Sequence, residues 1–304
     1  MFSALQKIMI YLFLFQMDTM ECGKRQQTEA FDNTFWPASY LSDWMSGLPD
    51  HLSLSKISIP GTHDSMSVLG GPKICCQTWP LEAQLAAGVR FLDIRCKLEN
   101  GRFLIYHVNT FQEADFSDVL EGTLSFLNQH PGETVLMRVK EELPFIPNVD
   151  YASRFQRYLA EEGWNKVWMK EAIPTLRQAR GKIIILEELE KEVLGVPYEE
   201  LSVSDVWHVF CPECKWEQVK EHLDLATTGD PNVLHLTFCS GNGLFTNPEK
   251  LARDINPRCH QYLKSQAGPA LCWGVVILDF PGTGLIQTIV ESNFGTQHYD
   301  DVTI

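Results

Sequence analysis

The sequence predicts a single α/β domain, a (β/α)8 TIM-like barrel that is distorted or incompletely closed. Three observations carry this expectation. Short apolar, β-branched runs alternate with amphipathic stretches from about residue 39 onward, and such alternation builds parallel βα units. The strand candidates number about eight, the count a closed barrel requires. Most of them end in an ionisable residue, at the strand end where barrels of this kind place their sites. A doubly wound open sheet is the alternative, but no Gly-rich dinucleotide fingerprint supports it.

In chain order the expected strands are 56–60, 89–95, 103–107, 134–140, 182–187, 205–210, 233–239 and 274–279. Helical periodicity appears at 81–87, 116–129, 151–162, 216–225, 248–265 and 285–292. Gly88, Pro131-Gly132, Gly181, Pro231 and Pro248 punctuate the joints between them. Residues 1–35 read as a leader or loose tail, leaving 40–304 for the barrel. Within that tail Lys7 precedes an apolar run of eight residues, 8–15, far short of the ~20 that span a bilayer. No small-x-small cleavage pattern follows, since Gln16-Met17-Asp18-Thr19-Met20 comes next. No transmembrane span is expected.

Charge narrows the partners. With 25 Lys+Arg against 39 Asp+Glu the net charge is −14, and no basic run compensates, so nucleic acid is not expected. An anionic membrane would not attract the chain by bulk charge either; any lipid contact must be local and apolar. The nine cysteines are odd in number and irregularly spaced. They read as free thiols of a reducing, cytoplasmic compartment; secretion is the alternative if residues 1–20 act as a signal. Cys211-Pro212-Glu213-Cys214 has the spacing of half a zinc site, but no second pair completes it.

The strand ends hold the chemistry. The first strand runs into Gly61-Thr62-His63-Asp64, the second ends in Asp93-Ile94-Arg95, and the third in Tyr106-His107. Lys140-Glu141-Glu142 and Glu187-Glu188 follow the fourth and fifth, Asp205 and Trp207 lie on the sixth, and Asp279 closes the eighth. Any one of these has a bland explanation, such as a helix cap. Two histidines, several aspartates, an arginine and a lysine on one rim do not. That set suits a phosphodiester with a neighbouring hydroxyl: one imidazole as base, one as acid, and a fixed cation against charge building on phosphoryl oxygen.

Ile57-Ser58-Ile59-Pro60-Gly61-Thr62-His63-Asp64-Ser65, Gly88-Val89-Arg90-Phe91-Leu92-Asp93-Ile94-Arg95 and Tyr106-His107 together resemble the X-type catalytic domain of phosphatidylinositol-specific phospholipase C. The likeness is to the small bacterial-type enzymes. It continues through Pro131–Glu142, Ala179-Arg180-Gly181-Lys182 and Trp273–Phe280, roughly residues 44–294 in all. The resemblance implies cleavage of an inositol phospholipid to diacylglycerol and inositol 1,2-cyclic phosphate. It implies His63 as general base, oriented by Asp279. It implies Arg95 as phosphate clamp with Asp64 beside it, and His107 as general acid supported by Asp93. Lys140, Arg180 and Asp205 fall where the family holds inositol hydroxyls, and Trp207 where a ring stacks on the sugar.

No cofactor and no metal is expected. The calcium-dependent relatives take ligands at the positions of Asp64, Asp93, Arg95 and Lys140, and two of those four are cations here. A monomer with peripheral membrane contact is expected. The loop 66–79 reads either as a lipid-dipping segment or as a packed one. The competing functions are a metal-dependent glycerophosphodiester phosphodiesterase on a similar barrel and a non-catalytic inositol-lipid-binding module. EDTA sensitivity would mark the first, absence of turnover the second.

Overall fold

The computed structural model describes residues 24–142, 151–162, 166–188, 195–266 and 271–294. In chain order its elements are β1 (Ile59–Thr62), α1 (Leu81–Ala87), β2 (Phe91–Glu99), β3 (Arg102–His107), β4 (Thr110–Asp115), α2 (Phe116–Gln129), β5 (Val135–Glu141) and α3 (Tyr151–Glu162). Then come β6 (Val167–Trp168), α4 (Leu176–Ala179), β7 (Ile183–Glu187), β8 (Val196–Pro197), β9 (Ser202–Ser204), α5 (Pro212–Thr228), β10 (His235–Phe238), α6 (Pro248–Ser265), β11 (Val275–Leu278) and α7 (Thr283–Glu291).

The strands form one curled sheet in the order β6-β7-β5-β2-β1-β11-β10-β9, every neighbouring pair parallel. β6 and β8 both add to β7, and no pairing joins them to β9 among the described residues. The barrel is therefore open along one seam, beside which a short 3-10 turn, Tyr198–Glu200, connects β8 to β9. Alternate strand residues face opposite sides. On β11, Val275 and Ile277 join the cluster that fills the interior with Ile59, Phe91, Leu136, Leu236 and Phe238. Val276 and Leu278 face the other way, packing with Leu251, Ile255, Leu285 and Ile289 of α6 and α7. That parity places Asp279 on the inner side.

Four expectations need correction. The third strand is not a βα unit: β3 pairs antiparallel with β2, and β4 with β3, as a ribbon beside the barrel. Asn100-Gly101, with φ of +52° and +79°, makes the tight turn this hairpin needs. The segment 205–210 is loop, and the strand there is the shorter β9 just before it. Strand one starts three residues later than expected, because Ser53 caps a 3-10 turn over Leu54–Lys56. Helix 216–225 extends to Pro212–Thr228; Pro212 begins it, where a missing N–H costs nothing.

The tail boundary also moves. Residues 1–23, with the apolar run 8–15, lie outside the described residues, but 24–35 belong to the fold. Phe31 is buried against Phe280 and bridges Pro281, while the Asn33 amide donates to Glu249 Oε1 at 3.0 Å. Of the cysteines, Cys211 and Cys214 form a disulfide, so neither the free-thiol nor the zinc reading holds for them. Cys75, Cys76, Cys96, Cys239, Cys259 and Cys272 form no disulfide among the described residues, and Cys22 lies outside them.

At the end of the barrel opposite the rim, His222 on α5 packs its ring on His235 of β10, centroids 5.7 Å apart. Burial, and for His222 also the neighbouring His235, lowers both pKa values, that of His222 to about 4. Neither nitrogen of His235 has a hydrogen-bond partner among the described residues. Both rings fold neutral, whereas in the unfolded chain they protonate near pH 6.5. They cost nothing above that pH and destabilise the fold increasingly as pH drops below it. The melting temperature of His235→Phe is expected to fall less than that of the parent chain between pH 7 and about 4.5; parallel curves in a calorimetric pH series would refute this.

Candidate active site

Four strand ends converge on one ion cluster. His63 follows β1, Asp93 and Arg95 lie two apart on one face of β2, His107 ends β3, and Asp279 follows β11. His63 donates from Nδ1 to Asp279 Oδ1 at 2.9 Å, and its Nε2 accepts from the Arg95 guanidinium at 2.9 Å. Arg95 also donates to Asp93 Oδ2 at 3.0 Å and lies 3.2 Å from Asp64 Oδ2 and 3.9 Å from Glu142. His107 donates from Nδ1 to the Ile74 carbonyl at 2.8 Å, with Ser67 Oγ 2.9 Å away, so its Nε2 faces Asp64 Oδ2 at 3.4 Å. The two imidazoles meet edge to face, ring centroids 6.4 Å apart.

The backbone supports this arrangement. Asp64 takes a left-handed φ of +42°, which turns the chain just beyond β1. Buried Gln77 ties this turn to β11 by donating to the carbonyls of His63 and Leu278 at 2.8 and 2.9 Å. The loop 66–79 is anchored at both ends by buried Ser67, Cys75, Cys76, Gln77 and Trp79, while Gly70, Pro72 and Lys73 between them are exposed.

Electrostatics follow from the distances. Burial disfavours charge on His63, yet Asp279 and Asp64 outweigh it and the opposing Arg95, so the imidazole titrates above the ordinary histidine value. Burial would raise Asp93, but Arg95 and Arg138 hold it well below the usual carboxylate range. Burial and the nearby Asp64 raise Glu142, and burial raises Asp279 against the pull of His63. Arg95, though largely withdrawn from water, is kept charged by Asp64, Asp93 and Glu142.

Of the residues singled out in sequence, His63, Asp64, Asp93, Arg95, His107 and Asp279 come together. Asp93 does not touch His107 as expected; its partners are Arg95 and Arg138, and the carboxylate beside His107 is Asp64. Lys140 reaches Glu188 at 3.0 Å, and Asp205 lies 3.7 Å from Arg138. Trp207 stands on the rim, two-thirds exposed. Arg180 is elsewhere: it precedes β7, at the opposite strand end, and donates to Asp50 and to the carbonyls of Met45, Leu48 and Gly132.

Sequence reasoning missed Arg138. It is buried, donates to Glu188 at 2.7 Å, lies 3.4 Å from Asp93 and stacks on Tyr198. A lone Arg two residues before Lys140, in an otherwise apolar strand, shares that lysine's face, and this was the available signal.

Comparison with known proteins defines the class. The family model for phosphatidylinositol-specific phospholipase C, X domain, matches residues 52–189, and the chain belongs to this family. Among individual proteins, it is 30% identical to a 1-phosphatidylinositol phosphodiesterase of Listeria monocytogenes, over 93% of this chain and 94% of that one. It is 25% identical to one from Staphylococcus aureus, over 83% and 94%. The solved structure of the Listeria phosphatidylinositol-specific phospholipase C superposes with a TM-score of 0.76, covering 84% of this chain and 99% of that one.

The Asp279–His63 contact yields a signed prediction. Asp279→Asn removes the negative charge that most favours the imidazolium, so the His63 pKa is expected to fall. NMR titration of the ring checks this; an unchanged or higher value would mean another group sets it.

Proposed function

We propose that this protein cleaves phosphatidylinositol, releasing diacylglycerol and inositol 1,2-cyclic phosphate. The observation that supports it best is the pair of imidazoles, each backed by its own fixed partners, with Arg95 and Asp64 between them. Nε2 of His63 takes the proton of the inositol 2-hydroxyl, whose oxygen attacks phosphorus. Imidazolium so formed is stabilised by Asp279. Arg95 turns its N–H groups to the phosphoryl oxygens, and His107 delivers the proton that the glycerol oxygen needs to leave, with Asp64 beside its Nε2. Intramolecular attack outruns attack by water because the nucleophile is already held at phosphorus. In a second step water opens the cyclic ester with the two histidines exchanging roles.

The cation in this reading is Arg95, not a metal. Asp64, Asp93 and Glu142, the carboxylates a Ca²⁺ ion would need, are already gathered around its guanidinium. Lys140, Glu188, Asp205 and buried Arg138 border the place for the head group, with Trp207 at its edge. Arg180 has no part in it.

Lipid contact has a surface. The loop after β9 and the loop after β10 are zipped together, Val209 N–H to the Asn242 carbonyl at 2.8 Å and Asn242 N–H to the Trp207 carbonyl at 2.7 Å. Gly241 and Gly243 permit this approach, since a Cβ on either would collide with Val209 or the Trp207 carbonyl. The joined loops expose Trp207 and Phe210 from one and Leu244 and Phe245 from the other, the last three at least 80% exposed. No helix among the described residues is long and apolar enough to cross a membrane, so this ridge is the proposed peripheral contact.

Two experiments test this. ³¹P NMR of the protein with phosphatidylinositol in excess EDTA should show the cyclic phosphodiester first and the acyclic monoester later. His63→Ala and His107→Ala should each lower turnover by at least ~10³-fold; an EDTA-abolished reaction or an active His63→Ala would overturn the mechanism. For the surface, Phe210→Ser with Phe245→Ser should weaken binding to phosphatidylcholine vesicles at least ~10-fold in a sedimentation assay, and unchanged binding would place lipid contact elsewhere.

A further inference from the structure

Behind the two imidazoles lies a thiol that the proposed reaction does not use. Cys76 is fully buried, its Sγ 3.9 Å from Nδ1 of His107. That sulfur, one ring nitrogen of His63 and one carboxylate oxygen of Asp279 all lie within 4.8 Å of one another. We propose that Cys76, His63 and Asp279 form an inhibitory site for a soft divalent cation of the Zn²⁺ or Cd²⁺ type.

The donor set defines the ion. Sulfur, imidazole and carboxylate together suit Zn²⁺, bound at about 2.3 Å from sulfur and about 2.0 Å from nitrogen or oxygen. Tetrahedral bonds of those lengths put the ligand atoms ~3.3–3.6 Å apart, so closing from within 4.8 Å asks for small side-chain shifts. Hard Ca²⁺ or Mg²⁺ would find too few oxygens. An independent observation points to a ligand: Oδ2 of Asp279 is buried with no hydrogen-bond partner among the described residues, an arrangement that costs free energy until something occupies it. A thiolate and a carboxylate also supply the two negative charges that neutralise the ion in a buried place.

A second set, Asp64, Cys76 and His107, meets the same distance limit. Asp64 Oδ2, however, lies 3.2 Å from the Arg95 guanidinium, a cation already in place. The His63 set has no such competitor on its Nδ1 side, and Nε2 faces Arg95, so Nδ1 is the nitrogen left for the metal.

Binding there stops the base. The Cys76 thiol loses its proton to solvent, one per ion bound. The His63 ring proton moves from Nδ1 to Nε2, which then no longer accepts from Arg95. The guanidinium keeps Asp93 and Asp64, and Asp64 Oδ2, 3.5 Å from Nε2 and accepting no other hydrogen bond, accepts the Nε2 hydrogen bond. An Nε2 that carries a proton cannot take one from the 2-hydroxyl.

The test uses the whole protein in thiol-free buffer, which keeps the Cys211–Cys214 bridge closed. Zn²⁺ is expected to inhibit phosphatidylinositol cleavage, EDTA to restore it, and equal Ca²⁺ or Mg²⁺ to do neither. In Cys76→Ser and Cys76→Ala, half-inhibition relative to each variant's own rate should need at least ~10-fold more Zn²⁺. Cd²⁺ should give a thiolate-to-metal absorption band saturating at one equivalent in the parent chain and absent from both variants. The absorption arm needs no turnover, so it stands even if phosphatidylinositol is not the substrate, whereas the inhibition arm rests on that reading. Equal Zn²⁺ sensitivity in a folded variant, or no Cys76-dependent Cd²⁺ band, overturns the proposal.

Discussion

The Arg95 guanidinium is the charge on which the rest of the site depends. Three carboxylates and an imidazole surround it, and carboxylates so far from water are costly without a cation beside them. Two unit charges 4 Å apart attract by about 4 kcal/mol at an effective dielectric of about 20. Several such pairs hold Asp64, Asp93 and Arg95 to one geometry before any ligand arrives. Arg138 extends the network, sharing Asp93 with Arg95 and tying the centre to Glu188 and Lys140. Charge alternates in sign along this path, which is why four separate strands can aim ionised groups at one point.

The fold supplies the aim through parity. Asp279 faces inward because it lies an even number of residues from Val275 and Ile277, and Asp93 shares a face with Phe91 and Arg95 for the same reason. His107 arrives differently, on an antiparallel ribbon that leaves the barrel and turns back. Its ring is then fixed by a loop, through the Ile74 carbonyl and Ser67, and not by a neighbouring strand. The acid and base candidates thus rest on separate supports that meet at Asp64.

Much of this was legible in sequence where local pattern and tertiary role coincide. The strands near 89–95, 134–140 and 182–187 and the helices 81–87, 116–129, 151–162 and 248–265 appear as read, because each has clear periodicity and a clean Gly or Pro boundary. His63, Arg95, His107 and Asp279 could be grouped because a barrel brings all strand C-termini to one face. Arg180 misled because a motif match carries no direction: it precedes its strand, and the strand's polarity sends it to the far end. The ribbon was announced by Asn100-Gly101, a hairpin signal that the expectation of parallel units overrode. Arg138 lies inside its strand, before the end, where the strand-end rule does not look. The segment 205–210 is β-branched and aromatic yet stays a loop, with Val206, Trp207 and Phe210 turned outward, Val209 buried and the backbone bonded to the loop after β10.

An unclosed barrel keeps two free sheet edges, and exposed edges invite other chains to add on as strands. Here those edges are β9, three residues long, and β6 with β8, two residues each and set one after the other along β7. A strand so short offers too few unpaired backbone groups to template an incoming partner. At the seam, among the described residues, edges this short discourage edge-to-edge pairing.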